Sequence, residues 1–100
     1  MRLRVSQVVG PDLATRNGCD NLFLLLEQNP DDEVILDFFD VTSISRSFAH
    51  QYLMKQSEST KTISEVNVPP VVRKMFEFVK NQNTRKKQVG DDNTKIVIIS

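Results

Sequence analysis

The segment "VILDF", residues 34–38, is apolar almost without interruption and β-branched at its start. Such a run suits a strand buried on both faces, as in a parallel sheet covered by helices. The next twenty residues narrow the choice further. After "FDVTSIS" (39–45), Phe48, Ala49, Tyr52 and Leu53 recur at i, i+1, i+4 and i+5, one face of a helix that runs to about Gln56. A buried strand that hands over almost at once to an amphipathic helix is half of a βαβ unit, and the rest of the chain has to supply the partners.

It does so by alternation. "LRVSQVV" (3–9) reads as a strand closed by Gly10-Pro11. Asp12 or Thr15 can cap a helix that runs to Gln28, with Cys19, Leu22, Phe23 and Leu26 on its inner face. Leu24 and Leu25 widen that stripe and imply a well-buried C-terminal end, while Gly18 weakens the helix locally. "NPDDE" (29–33) breaks the pattern, and "SESTK" (57–61) is a polar linker. "TISEVNV" (62–68) is a short strand. Pro69 and Pro70 fit a loop end and a first helical turn, after which Val72, Met75, Phe76 and Val79 form another stripe. "NQNTRKKQVGDDNT" (81–94) has almost no apolar residue and reads as a mobile loop before a last strand, "KIVII" (95–99). The expectation is one α/β domain over residues 1–100, ordered βαβαβαβ. It has a four-stranded, mainly parallel or mixed sheet and about three helices.

Lysine plus arginine equals aspartate plus glutamate, 13 each. Zero net charge argues against a dedicated nucleic-acid binder, which carries a basic excess. The N-terminal ten residues lack the long apolar core of a signal peptide. Apolar runs of about five residues fall far short of the ~20 needed to span a bilayer. A single cysteine, Cys19, cannot form an internal disulfide. A cytoplasmic protein that does not engage a membrane is expected.

Catalytic chemistry is poorly supplied. His50 is the one histidine, it sits in a helix, and no His/Cys cluster accompanies it to hold a metal. Cys19 falls on an apolar helix face and reads as a core residue rather than a nucleophile. Gly10, Gly18 and Gly90 build neither a G-x-G-x-x-G nor a phosphate loop, so no nucleotide cofactor is expected by those devices. "RKK" (85–87) and "DD" (91–92) read as opposed charges on a solvated loop. Among the phenylalanines, Phe39 and Phe78 have phases that do not place them cleanly inside, which would suit a protein interface.

The strand-to-helix junction is the place to look for function. Ser45 is well placed as N-cap, with Ser47 in the first turn and Arg46 between them. Arg46 is slightly wrong for a helix start, whose partial positive charge favours acids. A cation there hints at an anionic visitor, and the carboxyl end of a parallel strand is where α/β folds place their sites.

These residues also carry a resemblance. "VILDFFDVTSISRSFAHQYL" (34–53) resembles the hallmark segment of the STAS-like domain family of unknown function, V-x-L-D-F-x-x-V-x-x-I-S-x-S-F-A. "LATRNG" (13–18) and "VNVPPVVRKMFEFV" (66–79) are similar to further family segments, so the likeness spans residues 3–80. The wider superfamily includes anti-sigma factor antagonists. There the resemblance implies phosphorylation of a serine at the start of the equivalent helix, by a kinase of the histidine-kinase-like ATPase fold. The antagonists carry D-S-S/T-G. Aligning on Leu36 and Ile44 puts Ser45 on the aspartate, Arg46 on the phosphoserine, Ser47 on the next hydroxyl and Phe48 on the glycine. An arginine therefore stands at the usual acceptor position, leaving Ser45 and Ser47 as substitutes.

The sequence thus suggests a non-enzymatic regulatory module. It would bind a histidine-kinase-like ATPase or signalling protein through Asp40, Thr42, Ser43, Ser45, Arg46, Ser47 and Phe48. Arg46 would supply charge recognition, and Ser43 and Ser47 hydrogen bonds. Two other readings stand beside it. One is a sensor that binds a nucleotide or anion at the same helix start. The other is a self-associating domain, a homodimer, paired through Ile96 to Ile99 or the first strand at a sheet edge.

Overall fold

A computed structural model describes residues 1–89 of the chain, with the surroundings of side chains through residue 82. The elements run β1 (Arg2–Arg4), α1 (Val5–Val8), β2 (Asp12–Leu13), α2 (Arg16–Gln28), β3 (Glu33–Asp37), β4 (Ser43–Ile44), α3 (Arg46–Glu58), β5 (Thr62–Val66) and α4 (Pro70–Val89). Strands β1, β3 and β5 form one sheet in the order β1-β3-β5, and β2 pairs with β4; every pairing is parallel. Parallel neighbours need long crossovers, which α2 and α3 provide. The α/β class and the parallel strands are those expected. The described residues divide into a three-stranded and a two-stranded sheet. The expected last strand, 95–99, and residues 90–94 of the expected loop lie outside the described residues.

Three other expectations need correction. The first strand is not 3–9: it ends at Arg4, and Val5–Val8 turn into a single helical turn closed by the Val9 N–H on the Val5 carbonyl at 2.9 Å. The reason is register. Arg4 lies opposite Asp37, the last residue of β3, so the ladder has no partner for Val5 and beyond. Leu24 and Leu25 are exposed rather than buried. At about 100° per residue they point well away from the face set by Cys19, Leu22, Phe23 and Leu26. Residues 81–89 continue α4 instead of forming a loop. They offer no apolar stripe, but Arg, Lys and Gln are good helix formers and extend a helix already anchored by packing. Gly18 does more than loosen α2: a Cβ there would stand 2.9 Å from Val9 Cγ1, so its small size lets α1 approach α2.

The sheet has one covered face. Leu3, Leu36, Val34 and Ile63 occupy matched positions and join the core, together with the inner faces of the helices. The alternate positions, with Arg2, Ile35 and Ser64 in register, turn the other way. Ile35 is half-buried and stands outside the core cluster.

Tyr52, fully buried on α3, is the centre of that core. Its ring stacks on Phe76 of α4 at 5.0 Å and 14°, and meets Phe23 of α2 and Phe38 edge-on at 5.6 and 6.1 Å. Its hydroxyl donates to the Glu65 carboxylate of β5. Burial first, then Glu65, pushes the phenol upward, so it stays a donor. One side chain therefore joins three helices to the sheet. Tyr52→Ala should cost about 3–5 kcal/mol and Tyr52→Phe about 1–2 kcal/mol, measured by urea unfolding.

Asp37, the buried charge at the end of β3, fastens the strand ends. Its Oδ1 accepts from the Asn67 amide at 3.0 Å and the Phe39 N–H at 2.9 Å, and its Oδ2 from Arg2 Nη2 at 2.9 Å. In the order Asn67, Phe39, Arg2 these donors hold the carboxyl down to about 2, against an ordinary 3.8. A depressed acid stabilises the fold fully above its unfolded value. That contribution fades as pH falls from about 4 and is gone below about 2. Asp37→Asn should lower the melting temperature at pH 7, and the gap from the parent should close between pH 4 and 2. Melting curves that stay equally separated across that range would contradict this.

Candidate functional site

The junction between β3 and α3 is built in three steps. Leaving β3, the chain makes a tight turn in which the Val41 N–H donates to the Phe38 carbonyl at 3.1 Å. The turn's third residue, Asp40, takes φ 68°, a left-handed conformation that Asp tolerates better than most residues. The short β4 then pairs with β2. The Thr42 N–H donates to the Pro11 carbonyl at 2.8 Å, and the Ser45 N–H to the Leu13 carbonyl at 2.8 Å. Finally Ser45 caps α3.

The hydroxyls of this segment are mostly occupied in holding it. Thr42 Oγ1 donates to the Pro11 carbonyl at 3.3 Å, and Ser43 Oγ to Asp12 Oδ1 at 2.5 Å. Ser45 Oγ accepts the Phe48 N–H at 3.0 Å and donates to the Ala14 carbonyl at 2.9 Å. Ser45 is thus the expected N-cap, and it also ties α3 to the segment before α2. A phosphate on Ser45 would remove the hydrogen that it donates to the Ala14 carbonyl. Ser47, in the first turn of α3, is exposed.

Of the residues expected at the surface, Asp40, Thr42, Arg46 and Ser47 are exposed, and Ser43 and Ser45 are partly so. Phe48 is not: it is fully buried in the core and cannot contact a partner, which corrects the expectation. Its phase at the third helical position carries it inward with Ala49 and Tyr52. The Arg46 guanidinium lies 5.3 Å from the ring centroid of Phe78 on α4. That contact explains a cation at a helix start, since ring attraction offsets its unfavourable place in the dipole. It also joins α4 to the site, a link that spacing in the sequence could not reveal. The outward phase of Phe78 was the one available signal. Phe39, the other outward phenylalanine, is 51% exposed and carries the Arg4 guanidinium at 5.2 Å.

Elsewhere, His50 is exposed on α3. Cys19 is buried, and burial with Asp20 nearby pushes its thiol up to about 12, so it is inert as a nucleophile. Among the described residues no group of three or more His, Cys, Asp or Glu could hold a metal ion, and no helix is long and apolar enough to cross a membrane.

The two serines of α3 should separate cleanly. Ser45→Ala removes a cap and a cross-link and should cost about 1–2 kcal/mol. Ser47→Ala should stay within about 0.5 kcal/mol of the parent in the same urea titration.

Compared with known proteins, the chain matches no family model, no curated protein and no solved structure.

Proposed function

We propose that the chain is a non-enzymatic, STAS-like regulatory module that binds another protein through the start of α3, and that this partner is an ATPase of the histidine-kinase-like fold or a related signalling protein. The observation that carries this reading is the Arg46–Phe78 pair. The pair sets an exposed guanidinium beside an exposed aromatic ring. Arg and aromatic residues are the types that dominate binding energy in protein interfaces. The junction beneath them is rigidly tied, so the pair is held in one presentation. STAS-likeness also requires a fourth strand in the sheet, for which the sequence offers "KIVII" (95–99).

Regulation by phosphate on this module falls to Ser47 rather than Ser45. Ser47 is exposed, and Ser45 is engaged on both sides of its hydroxyl. A doubly charged group beside Arg46 would compete with a partner carboxylate for the guanidinium and add repulsion at the interface.

A sensor would have to use a different place from the start of α3. A cavity of about 310 Å³ lined by Arg2, Arg4, Gln7 and Asp37 opens beside the carboxyl ends of β1 and β3. Its Arg2 is already paired with Asp37, which leaves the protein-binding reading ahead.

Arg46→Glu should abolish capture of the partner and Arg46→Ala weaken it about tenfold or more, with melting temperature unchanged. ATP or GTP should produce no saturable thermal shift. Binding that survives both substitutions would sink the reading, and a strong nucleotide shift would favour the sensor.

A further inference from the structure

We infer that the outer face of α4 extends this site into a docking surface for an acidic amphipathic helix of the partner protein; the inference rests on the protein-binding reading above. Val71 and Phe78 are each 45% exposed and stand seven residues apart, two turns of one helix face. Met75, half-buried between them, continues the stripe. This face is separate from the one α4 buries through Val72, Phe76 and Val79. The helix therefore carries more apolar surface than its own core consumes.

The charges on and beside that stripe are mostly positive. Arg46 lies over Phe78, and Lys74 is exposed on the flank. Among the described residues neither is ion-paired with a carboxylate. Along its length α4 carries Arg73, Lys74, Lys80 and the run 85–87 against Glu77 alone, although the whole chain is neutral. An apolar stripe with anchors two turns apart fits the i, i+4, i+7 side chains of a helix. Arg46 and Lys74 at its edge select a helix flanked by Glu or Asp, which steers encounter and fixes orientation.

The test uses the full chain, ¹⁵N-labelled, and two synthetic helical peptides with Leu at i, i+3, i+4 and i+7. One is flanked by Glu, the other by Lys. The Glu peptide should give saturable shifts at 44–49 and 71–78, weakened by added salt, and the Lys peptide should bind at least about tenfold more weakly. Phe78→Ala and Val71→Ser should each reduce affinity for the Glu peptide about tenfold, with the rest of the spectrum intact. Equal binding of both peptides, or shifts elsewhere, would overturn the inference. So would tighter binding to RNA or to phosphatidylglycerol vesicles, or self-association through this face by light scattering. If Arg46→Glu and Phe78→Ala abolish partner capture while Val71→Ser leaves it unchanged, the protein-binding reading stands and the docking surface falls.

Discussion

The Asp37 carboxylate is the constraint on which the rest depends. Three parallel strands of three and five residues make a small sheet, and parallel pairing is the weaker kind. Asp37 collects donors from β1 through Arg2, from the turn after β3 through the Phe39 N–H, and from the end of β5 through Asn67. Asn67 itself sits at φ 54°, a left-handed position that Asn occupies more readily than most residues. Burying a lone carboxylate would be prohibitive, but three donors replace the lost water. The same knot sets the direction in which the chain leaves β3, and so where Asp40 and the α3 junction stand.

From there the site is held by small bonds rather than by bulk. The two-residue pairing of β2 with β4 and the hydroxyls of Thr42, Ser43 and Ser45 fix the segment against residues 11–14. Tyr52 then anchors α3 from beneath, leaving Arg46 and Ser47 on top. What first looks like a serine-rich switch is therefore mainly scaffold. The chemistry left for recognition is the Arg46 guanidinium, the exposed Ser47 hydroxyl, the Asp40 carboxylate and the ring of Phe78.

The long apolar pattern was legible in the sequence. The run 34–38 and the i, i+4 spacing of Phe48, Ala49 and Tyr52 located β3 and α3 because burial dictates both. Ser45 as N-cap followed from chemistry local to four residues. Most of the failures share a cause. The end of β1 and the β2–β4 ladder are set by partners distant in the chain, and a two-residue strand carries no period to read; the exposure of Leu24 and Leu25, by contrast, follows from helix phase alone. Phe48 was misplaced for a related reason: alignment to a family glycine says where a residue falls in a motif, not which way its side chain turns. The Arg46–Phe78 contact spans α3 and α4 and needed the fold to appear.

A module of this kind works if the face carrying Arg46 and Phe78 is the one that meets the partner. Hydroxyl-radical footprinting of the chain with and without its captured partner reads this directly, because the exposed probes are spread over the surface. The account predicts that oxidation of Phe78 and Met75 falls on complex formation while the exposed Met54 and Leu24 remain unchanged. Protection of Met54 or Leu24 with Phe78 unaltered would contradict it.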